Sequence, residues 1–246
     1  MLALNSLKVT FLSLVLLASL VTGIYSCKKA GAGSDVIIQP MNNPGIPVAA
    51  SKNYLALGDS YTIGESVSAK DRFPSQLAAV LSGEAIPVGT PDIIATTGWT
   101  TGNLLSALAN NPPASNFDIV TLLIGVNNQY QGRPLLEYKT EFETLLKQAI
   151  TYAGNQKKHV FVLSIPDYSV TPFAANSDRA KIAREIDEFN AAARQICTAY
   201  EISFIDITGI SRENDPALTA GDGLHPSGKQ YQRWVALLAP LVKASL

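Results

Sequence analysis

Three side chains in this sequence could together carry out nucleophilic catalysis. Ser60 follows the short apolar run 54–58, and Asp222 and His225 stand three residues apart near the other end of the chain. A serine hydroxyl becomes an effective nucleophile when a base removes its proton as it attacks. An imidazole titrates near neutral pH, and a carboxylate can orient it through a hydrogen bond. The chain has only two histidines, so few side chains could act as the base for this serine. Together these segments predict a serine hydrolase.

Strands and helices alternate along the part of the chain that must position these side chains. Amphipathic helices are predicted from Phe73 to Gly83, between Ile182 and Tyr200, and from near Pro226, which suits a first helical turn. We expect a three-layer α/β/α sandwich around a five-stranded parallel sheet, with right-handed crossovers. Mostly continuous apolar runs, typical of strands covered on both faces, lie at 54–58, 92–96, 118–124, 159–165 and 202–207.

The polar residues that interrupt this pattern lie where strands end. Ser60 follows the first predicted strand, Gly98 the second and Asn127 the third, while Asp222 and His225 lie in the loop before the last helix. In open parallel sheets, sites form beyond the carboxyl ends of the strands. These five residues are therefore expected at one edge of one sheet.

Four short blocks, taken in order, resemble those of the SGNH, or GDSL-type, hydrolases, whose marker residues are Ser, Gly, Asn and His. Two positions differ from the usual pattern: Tyr61 replaces a leucine, and Asn128 replaces an aspartate. The resemblance implies a flavodoxin-like SGNH hydrolase fold and ester hydrolysis without a metal or other cofactor. The blocks are Gly58-Asp59-Ser60, Gly98, Gly125-Val126-Asn127 and Asp222-Gly223-Leu224-His225.

Attack on an ester carbonyl places negative charge on its oxygen, and donors aimed at that oxygen stabilise the transition state. We expect the backbone N–H groups of Ser60 and Gly98 and the side-chain amide of Asn127 to supply these donors. Glycine suits the position because substrate can approach its backbone closely.

Each residue also has a structural interpretation. Ser60 could be a turn or helix-cap serine, Gly98 a turn glycine and Asn127 a capping residue. Asp222 and His225 could form a loop hydrogen bond without a catalytic purpose. Taken together, the residues favour catalysis.

Several neighbouring residues receive structural or open assignments. Asp59 is expected to brace its turn through backbone hydrogen bonds. His159 is expected to be structural, and Asp167 and Asp206 to occupy solvated loops. Whether Trp99, Tyr130 and Arg133 line a substrate pocket or have packing and surface roles stays open.

The first residues predict an exported protein. An almost unbroken apolar run at 9–25 has the proportions of a secretory signal. Ile24-Tyr25-Ser26-Cys27 resembles a bacterial lipobox, which implies a lipid on Cys27; an ordinary secreted protein is the alternative. We expect a signal peptide at 1–26, a flexible tether at 27–51 and the hydrolase domain at 52–246. The protein would then be a bacterial lipoprotein, periplasmic or on the cell surface, anchored in a membrane. Cys197, without a disulfide partner, is expected to be a buried thiol.

Composition and missing motifs argue against other classes. The formal net charge is −1 and charged residues make up 16% of the chain, so no clustered basic surface for nucleic acid is predicted. The sequence has no G-x-S-x-G elbow and no G-x-G-x-x-G or Walker motif after a strand. With His159 expected to be remote, His225 and aspartates would make a poor transition-metal site.

The sequence therefore predicts a serine esterase or acylhydrolase that works through an acyl-enzyme. Its substrate would be a small ester or an acylated carbohydrate, with acetyl the favoured acyl group because an exported lipoprotein meets polysaccharide. A lysophospholipase or thioesterase is the enzymatic alternative. A non-catalytic carbohydrate-binding lipoprotein on a hydrolase scaffold is the alternative from another class.

Overall fold

A computed structural model describes residues 50–213 and 215–246. The predicted signal peptide, Cys27 and nearly all of the predicted tether lie outside these residues. Within the described ranges, none of the helices combines the length and the apolar character needed to cross a membrane.

The sheet has five parallel strands, in the spatial order β2-β1-β3-β4-β5. This is the order of flavodoxin-like doubly wound folds, and it confirms the predicted α/β architecture. All five predicted strands are present: β1 has the predicted bounds, and the other four are shorter because flanking residues leave the ladder. They are β1 (Tyr54–Gly58), β2 (Asp92–Ala95), β3 (Ile119–Leu123), β4 (Val160–Leu163) and β5 (Ser203–Ile205).

The carboxyl ends of β1, β2 and β3 are level with one another. Gly58 pairs with Ala95 on one side and with Leu123 on the other. The strand order changes direction at this point, because β2 lies on one side of β1 and β3 lies on the other. Such a switch point opens a crevice between β1 and β3. A side chain at Gly58 would collide with Thr62 and with the carbonyl of Leu123, so glycine permits this close packing.

Eight α-helices are described within 50–213 and 215–246, the short ones at the carboxyl edge of the sheet. α2 packs against α8, and α5 packs against α3 and α6. With the right-handed crossovers that are the rule for parallel strands, this strand order puts the two groups on opposite faces of the sheet. The helices are α1 (Ser60–Ile63), α2 (Phe73–Gly83), α3 (Thr101–Asn110), α4 (Val126–Tyr130), α5 (Leu135–Tyr152), α6 (Arg179–Tyr200), α7 (Thr208–Ser211) and α8 (Gly228–Ser245).

Two sequence interpretations are wrong in detail. Pro226 lies before α8 rather than in its first turn, because Ser227 is the N-cap and its hydroxyl accepts from Gln230 N at 3.3 Å. Asp167 is buried rather than solvated, because Arg212 Nε pairs with its Oδ2 at 2.8 Å.

The core lies on both faces of the sheet. Every residue of β1, β3 and β4 is buried, which accounts for their continuous apolar sequences. Cys197 is fully buried on α6, and burial raises the pKa of its thiol to about 12. Its predicted burial is confirmed.

Candidate active site

The turn after β1 presents Ser60 at the edge of the sheet. Asp59 caps α1, and its Oδ1 accepts from Tyr61 N at 3.0 Å, as expected of a residue that braces this turn. Ser60 is the first residue of α1, so its own N–H has no partner inside the helix. The sequence thus places both a hydroxyl and a free backbone donor at one point.

Asp59 itself is fully buried beneath this turn. Burial raises the pKa of its carboxyl to about 7, against the smaller opposing effect of backbone hydrogen bonds. Its second oxygen, Oδ2, has no hydrogen-bond partner within the described residues. Asp59 therefore supports the nucleophile turn in a largely apolar setting.

The loop before α8 holds Asp222 and His225 together. His225 Nδ1 lies 2.6 Å from Asp222 Oδ2, and Asp222 Oδ1 accepts from Leu224 N at 2.9 Å and from His225 N at 3.0 Å. Burial raises the pKa of Asp222, but hydrogen bonds from Ser66, His225 and these backbone groups outweigh it and hold the pKa well below its usual range. The carboxylate is therefore ionised and acts only as an acceptor.

This contact determines which ring nitrogen of His225 is available for chemistry. Because Asp222 can only accept, Nδ1 carries the proton, and Nε2 is left as the basic nitrogen. The ring of Tyr61 meets the imidazole edge-on, with centroids 5.8 Å apart. The ring is thus held from two sides.

Four of the predicted site residues line one pocket of about 160 Å³: Ser60, Gly98, Asn127 and His225. Asp222 lies outside this lining and contacts His225 through the hydrogen bond described above. The rest of the wall is mainly apolar and is made by Tyr61, Thr97, Val126, Tyr130, Tyr168, Phe173 and Leu224.

Gly98 lies in a tight turn after β2. Trp99 N donates to Thr96 O at 3.2 Å, and Gly98, third in the turn, has a φ of 84°. A type II turn needs such a positive φ at this position, which glycine adopts without strain. No atom lies within 4 Å of the position that a Cβ on Gly98 would occupy, so the space beside its Cα is open, and Gly98 lines the pocket.

The two adjacent asparagines have different surroundings. Asn127 lines the pocket, and its Nδ2 donates to Trp99 O at 2.9 Å. An amide group carries two N–H donors, so one remains for a ligand. Asn128 is fully buried and bonds to Thr101 instead.

The residues left open by the sequence divide between pocket and surface. Tyr130 lines the pocket, whereas Trp99 contributes its carbonyl to Asn127 and packs its ring on the core. Arg133 forms a surface pair with Glu137 at 3.4 Å. His159 lies at the amino end of β4, at the edge of the sheet opposite the pocket.

Sequence reasoning missed Ser66, Tyr168 and Phe173. Ser66 donates to Asp222, and the two aromatic residues form part of the pocket wall. Tyr168 and Phe173 follow β4, so their position after a strand was a usable signal. Ser66 had none, because its partner is distant in sequence.

Potential metal ligands are dispersed. Within 50–213 and 215–246, no group of three or more His, Cys, Asp or Glu residues is arranged to hold an ion.

The domain has a parallel α/β fold, and one pocket contains a serine and a histidine that is hydrogen-bonded to a carboxylate. These features define a hydrolase scaffold. The profile of the GDSL-like lipase/acylhydrolase family matches residues 56–233, and the chain belongs to this family of ester hydrolases. No curated protein is significantly similar in sequence.

Solved structures of related hydrolases share the fold. A lipase from a goat rumen metagenome, Lip_vut3, superposes with a TM-score of 0.63 at 20% identity, over 78% of this chain and 97% of that one. The lipase/acylhydrolase from Enterococcus faecalis gives 0.63 at 19% identity, over 78% and 96%. The psychrotrophic esterase EstA from a Pseudoalteromonas species gives 0.56 at 17% identity, over 79% and 98%.

Proposed function

We propose that this protein is a serine esterase that cleaves small O-acyl esters through an acyl-enzyme on Ser60. The observation that carries the proposal is the shared pocket: Ser60, Gly98, Asn127 and His225 all line it, and His225 is held by Asp222. Membership of an ester-hydrolase family agrees with it.

The first half-reaction acylates the enzyme. Ser60 Oγ attacks the ester carbonyl carbon while His225 Nε2 takes the hydroxyl proton. The carbonyl oxygen becomes negative in the tetrahedral intermediate. When the intermediate collapses, the bond to the alcohol breaks, and His225 returns the proton to the departing alcohol. The acyl group is left on Ser60.

Three donors receive the developing negative charge. Ser60 N has no partner inside α1, Gly98 lines the pocket in a tight turn, and Asn127 Nδ2 has an unused N–H. Donors fixed in this way lower the barrier because they need not reorient during the reaction.

The second half-reaction releases the acid. A water molecule attacks the acyl carbonyl while His225 Nε2 accepts its proton, and the proton then passes to Ser60 Oγ as the acyl bond breaks. Asp222 stabilises the imidazolium in both halves without itself becoming protonated. The low pKa of Asp222 supports this role.

The pocket supports a short acyl group. Its volume of about 160 Å³ is well below the roughly 300 Å³ at which pockets for drug-sized ligands begin. An acetyl group would occupy the apolar wall, whereas the long chain of a lysophospholipid would extend beyond it. The lysophospholipase or thioesterase alternative is therefore less well supported.

We infer an acetylated carbohydrate as the natural ester. Tyr130 lines the pocket with 58% of its surface exposed, and an exposed aromatic ring can pack against the face of a sugar. The predicted export of the protein would bring it to polysaccharides. A binding role alone is less well supported, because the chain retains Ser60, His225 and Asp222, and a non-catalytic scaffold would be expected to lose at least one of them.

Release of nitrophenol from nitrophenyl acetate tests the mechanism. Ser60→Ala is expected to lower kcat by up to about 10⁶-fold. Ser106→Ala, a matched control on the exposed side of α3, should behave as wild type. Equal rates for Ser60→Ala and wild type would reject the mechanism.

Acetate release from an acetylated oligosaccharide, beside fatty-acid release from a lysophospholipid, separates the substrate classes. Release of acetate alone supports carbohydrate deacetylation, and release of fatty acid alone supports the lipid alternative. Saccharide binding without release of either product would favour the non-catalytic role.

The proposed anchor needs its own experiment. Cells that express the full chain should incorporate a labelled lipid precursor into the wild-type protein and not into Cys27→Ser. Equal labelling of both would contradict lipidation at Cys27, and absence of label from the wild type would favour ordinary secretion.

A further inference from the structure

The turn after α1 contains a serine in an uncommon backbone conformation. Val67 N donates to Gly64 O at 3.3 Å, and Ser66, third in this turn, has a φ of 64°. Glycine or asparagine usually occupies such a position, because other residues adopt a positive φ at a cost in free energy. The fold thus keeps a serine where glycine would be less strained, and residues held in this way often serve the site.

The hydroxyl of Ser66 reaches the carboxylate that orients His225. Ser66 Oγ donates to Asp222 Oδ2 at 2.6 Å, and the same oxygen lies 2.6 Å from His225 Nδ1. The direction of the first bond is determined, since an ionised carboxylate can only accept. Among the described residues, Ser66 is the one donor to this carboxylate from outside the loop 222–225.

The neighbouring residue makes a parallel contact with a second loop. Glu65 accepts from the hydroxyl of Thr97, which precedes Gly98 and lines the pocket. Gly64 N and Glu65 N in turn donate to Ser60 O, each at 3.0 Å. The turn 64–67 therefore joins the serine helix to both the Asp222 loop and the Gly98 turn.

We propose that Ser66 is a positioning residue of the active site. Its hydroxyl fixes the carboxylate of Asp222 and, through that carboxylate, holds the ring of His225 in register with Ser60. A hydrogen bond to a charged acceptor is stronger than one between neutral groups, which offsets the strained backbone of the turn. This inference rests on the proposed esterase function, and it adds a fourth side chain, hydrogen-bonded to Asp222, to the proposed catalytic residues Ser60, His225 and Asp222.

Ser66→Gly separates positioning from folding. Glycine adopts the φ of this turn more readily, so the melting temperature should stay equal or rise, while the bond to Asp222 is lost. We expect kcat on nitrophenyl acetate to fall by about tenfold, with a much smaller change in KM. Ser66→Asn tolerates the backbone and carries an N–H donor, so it should retain more activity than Ser66→Gly.

Ser68→Ala is the matched control, because Ser68 lies two residues further along the same loop and donates to Asp71 instead. Its kcat should equal that of wild type. A second measurement is independent of turnover: the Nδ1 proton of His225 is expected far downfield in the NMR spectrum, and the chain has only two histidines. This resonance should shift or broaden in Ser66→Gly and stay unchanged in Ser68→Ala.

An unchanged kcat and an unchanged His225 resonance in Ser66→Gly would overturn the positioning role while the esterase function stands. A kcat that falls together with the melting temperature in Ser66→Gly, without rescue by asparagine, would make the residue merely structural. If the wild type and Ser60→Ala were equally inactive on all esters, the proposed function itself would fail.

Discussion

Asn128 is bound to Thr101 through both ends of its amide. Its Oδ1 accepts from Thr101 N at 3.0 Å, and its Nδ2 donates to Thr101 Oγ1 at 2.6 Å. Thr101 Oγ1 in turn donates to Glu141. Each hydrogen bond is therefore donated in the same direction, from the amide to the hydroxyl and from the hydroxyl to the carboxylate. Together they hold the start of α3 against α4, the helix that also contains Asn127.

This direction suits an amide rather than a carboxylate at position 128. In Asn128→Asp, two carboxylates would compete for the single hydroxyl proton of Thr101. We expect a loss of about 1–3 kcal/mol in the free energy of unfolding, measured by urea denaturation. Adding Glu141→Gln should recover part of this loss, because glutamine can donate to Thr101 and the bonds can then run in reverse.

Glu141→Gln alone serves as the control and should cost little, since its carbonyl oxygen can still accept from Thr101. Additive effects of the two substitutions would show that Asn128 and Glu141 are not coupled through the hydroxyl.

Replacement of Asn127 is expected to lower kcat, whereas replacement of Asn128 is expected to lower the melting temperature. Asn127→Ala deletes a proposed oxyanion donor, so kcat should fall by about 10²–10³-fold while the melting temperature changes little. Asn128→Ala leaves the buried Thr101 N–H without an acceptor and removes the donor to the Thr101 hydroxyl, which keeps only its bond to Glu141, so the melting temperature should fall and kcat should change less. Kinetics and thermal melts of the two variants check this contrast, and a larger kcat loss in Asn128→Ala would refute the assignment.

The fold was predictable because the central strands are buried on both faces and therefore have continuous apolar sequences. The pocket residues Ser60, Gly98 and Asn127 were predictable for a related reason: each lies within a few residues of the carboxyl end of a strand, and those strand ends share an edge of a parallel sheet. Local sequence thus carried most of the site.

The features that the sequence did not reveal depend on contacts between residues that are far apart in the chain. Asp167 was expected in solvent because nothing nearby in sequence suggested Arg212. Ser66 has a positive φ, which a serine in the sequence does not predict, and its partner Asp222 is distant in the sequence. Tyr168 and Phe173 were missed although they follow β4, because the loop that carries them has no periodic pattern.

Phe173 is expected to limit the length of the acyl chain. Its ring packs against Tyr130 and Tyr168, with centroids 6.0 and 6.3 Å away. Phe173→Ala would enlarge the pocket and keep the bond from its backbone N–H to Gly223 O. We expect kcat/KM for nitrophenyl butyrate, relative to acetate, to rise by about tenfold.

The control for this prediction is Leu136→Ala, which removes an apolar side chain that is 74% exposed on α5 and does not line the pocket. Its butyrate-to-acetate ratio should match that of wild type. An unchanged ratio in Phe173→Ala would place the acyl chain elsewhere.

Asp59 should make the stability of the domain depend on pH. Its folded-state pKa is raised to about 7 by burial, whereas an aspartate in the unfolded chain titrates near about 3.9. Below the unfolded pKa the carboxyl is neutral in both states and its contribution is fully present. As the pH rises towards 7, the unfolded state loses its proton first, so that contribution is progressively lost.

Asp59→Asn removes this titration and keeps a side-chain oxygen to cap α1. Relative to wild type, the variant should gain stability steadily between about pH 4 and 7 and level off above that range, by as much as roughly 4 kcal/mol. Thermal or urea unfolding of both proteins across this range measures the difference. A difference that stays constant with pH would mean that Asp59 is ionised in the folded protein throughout, and that the turn supplies it with a partner for its second oxygen.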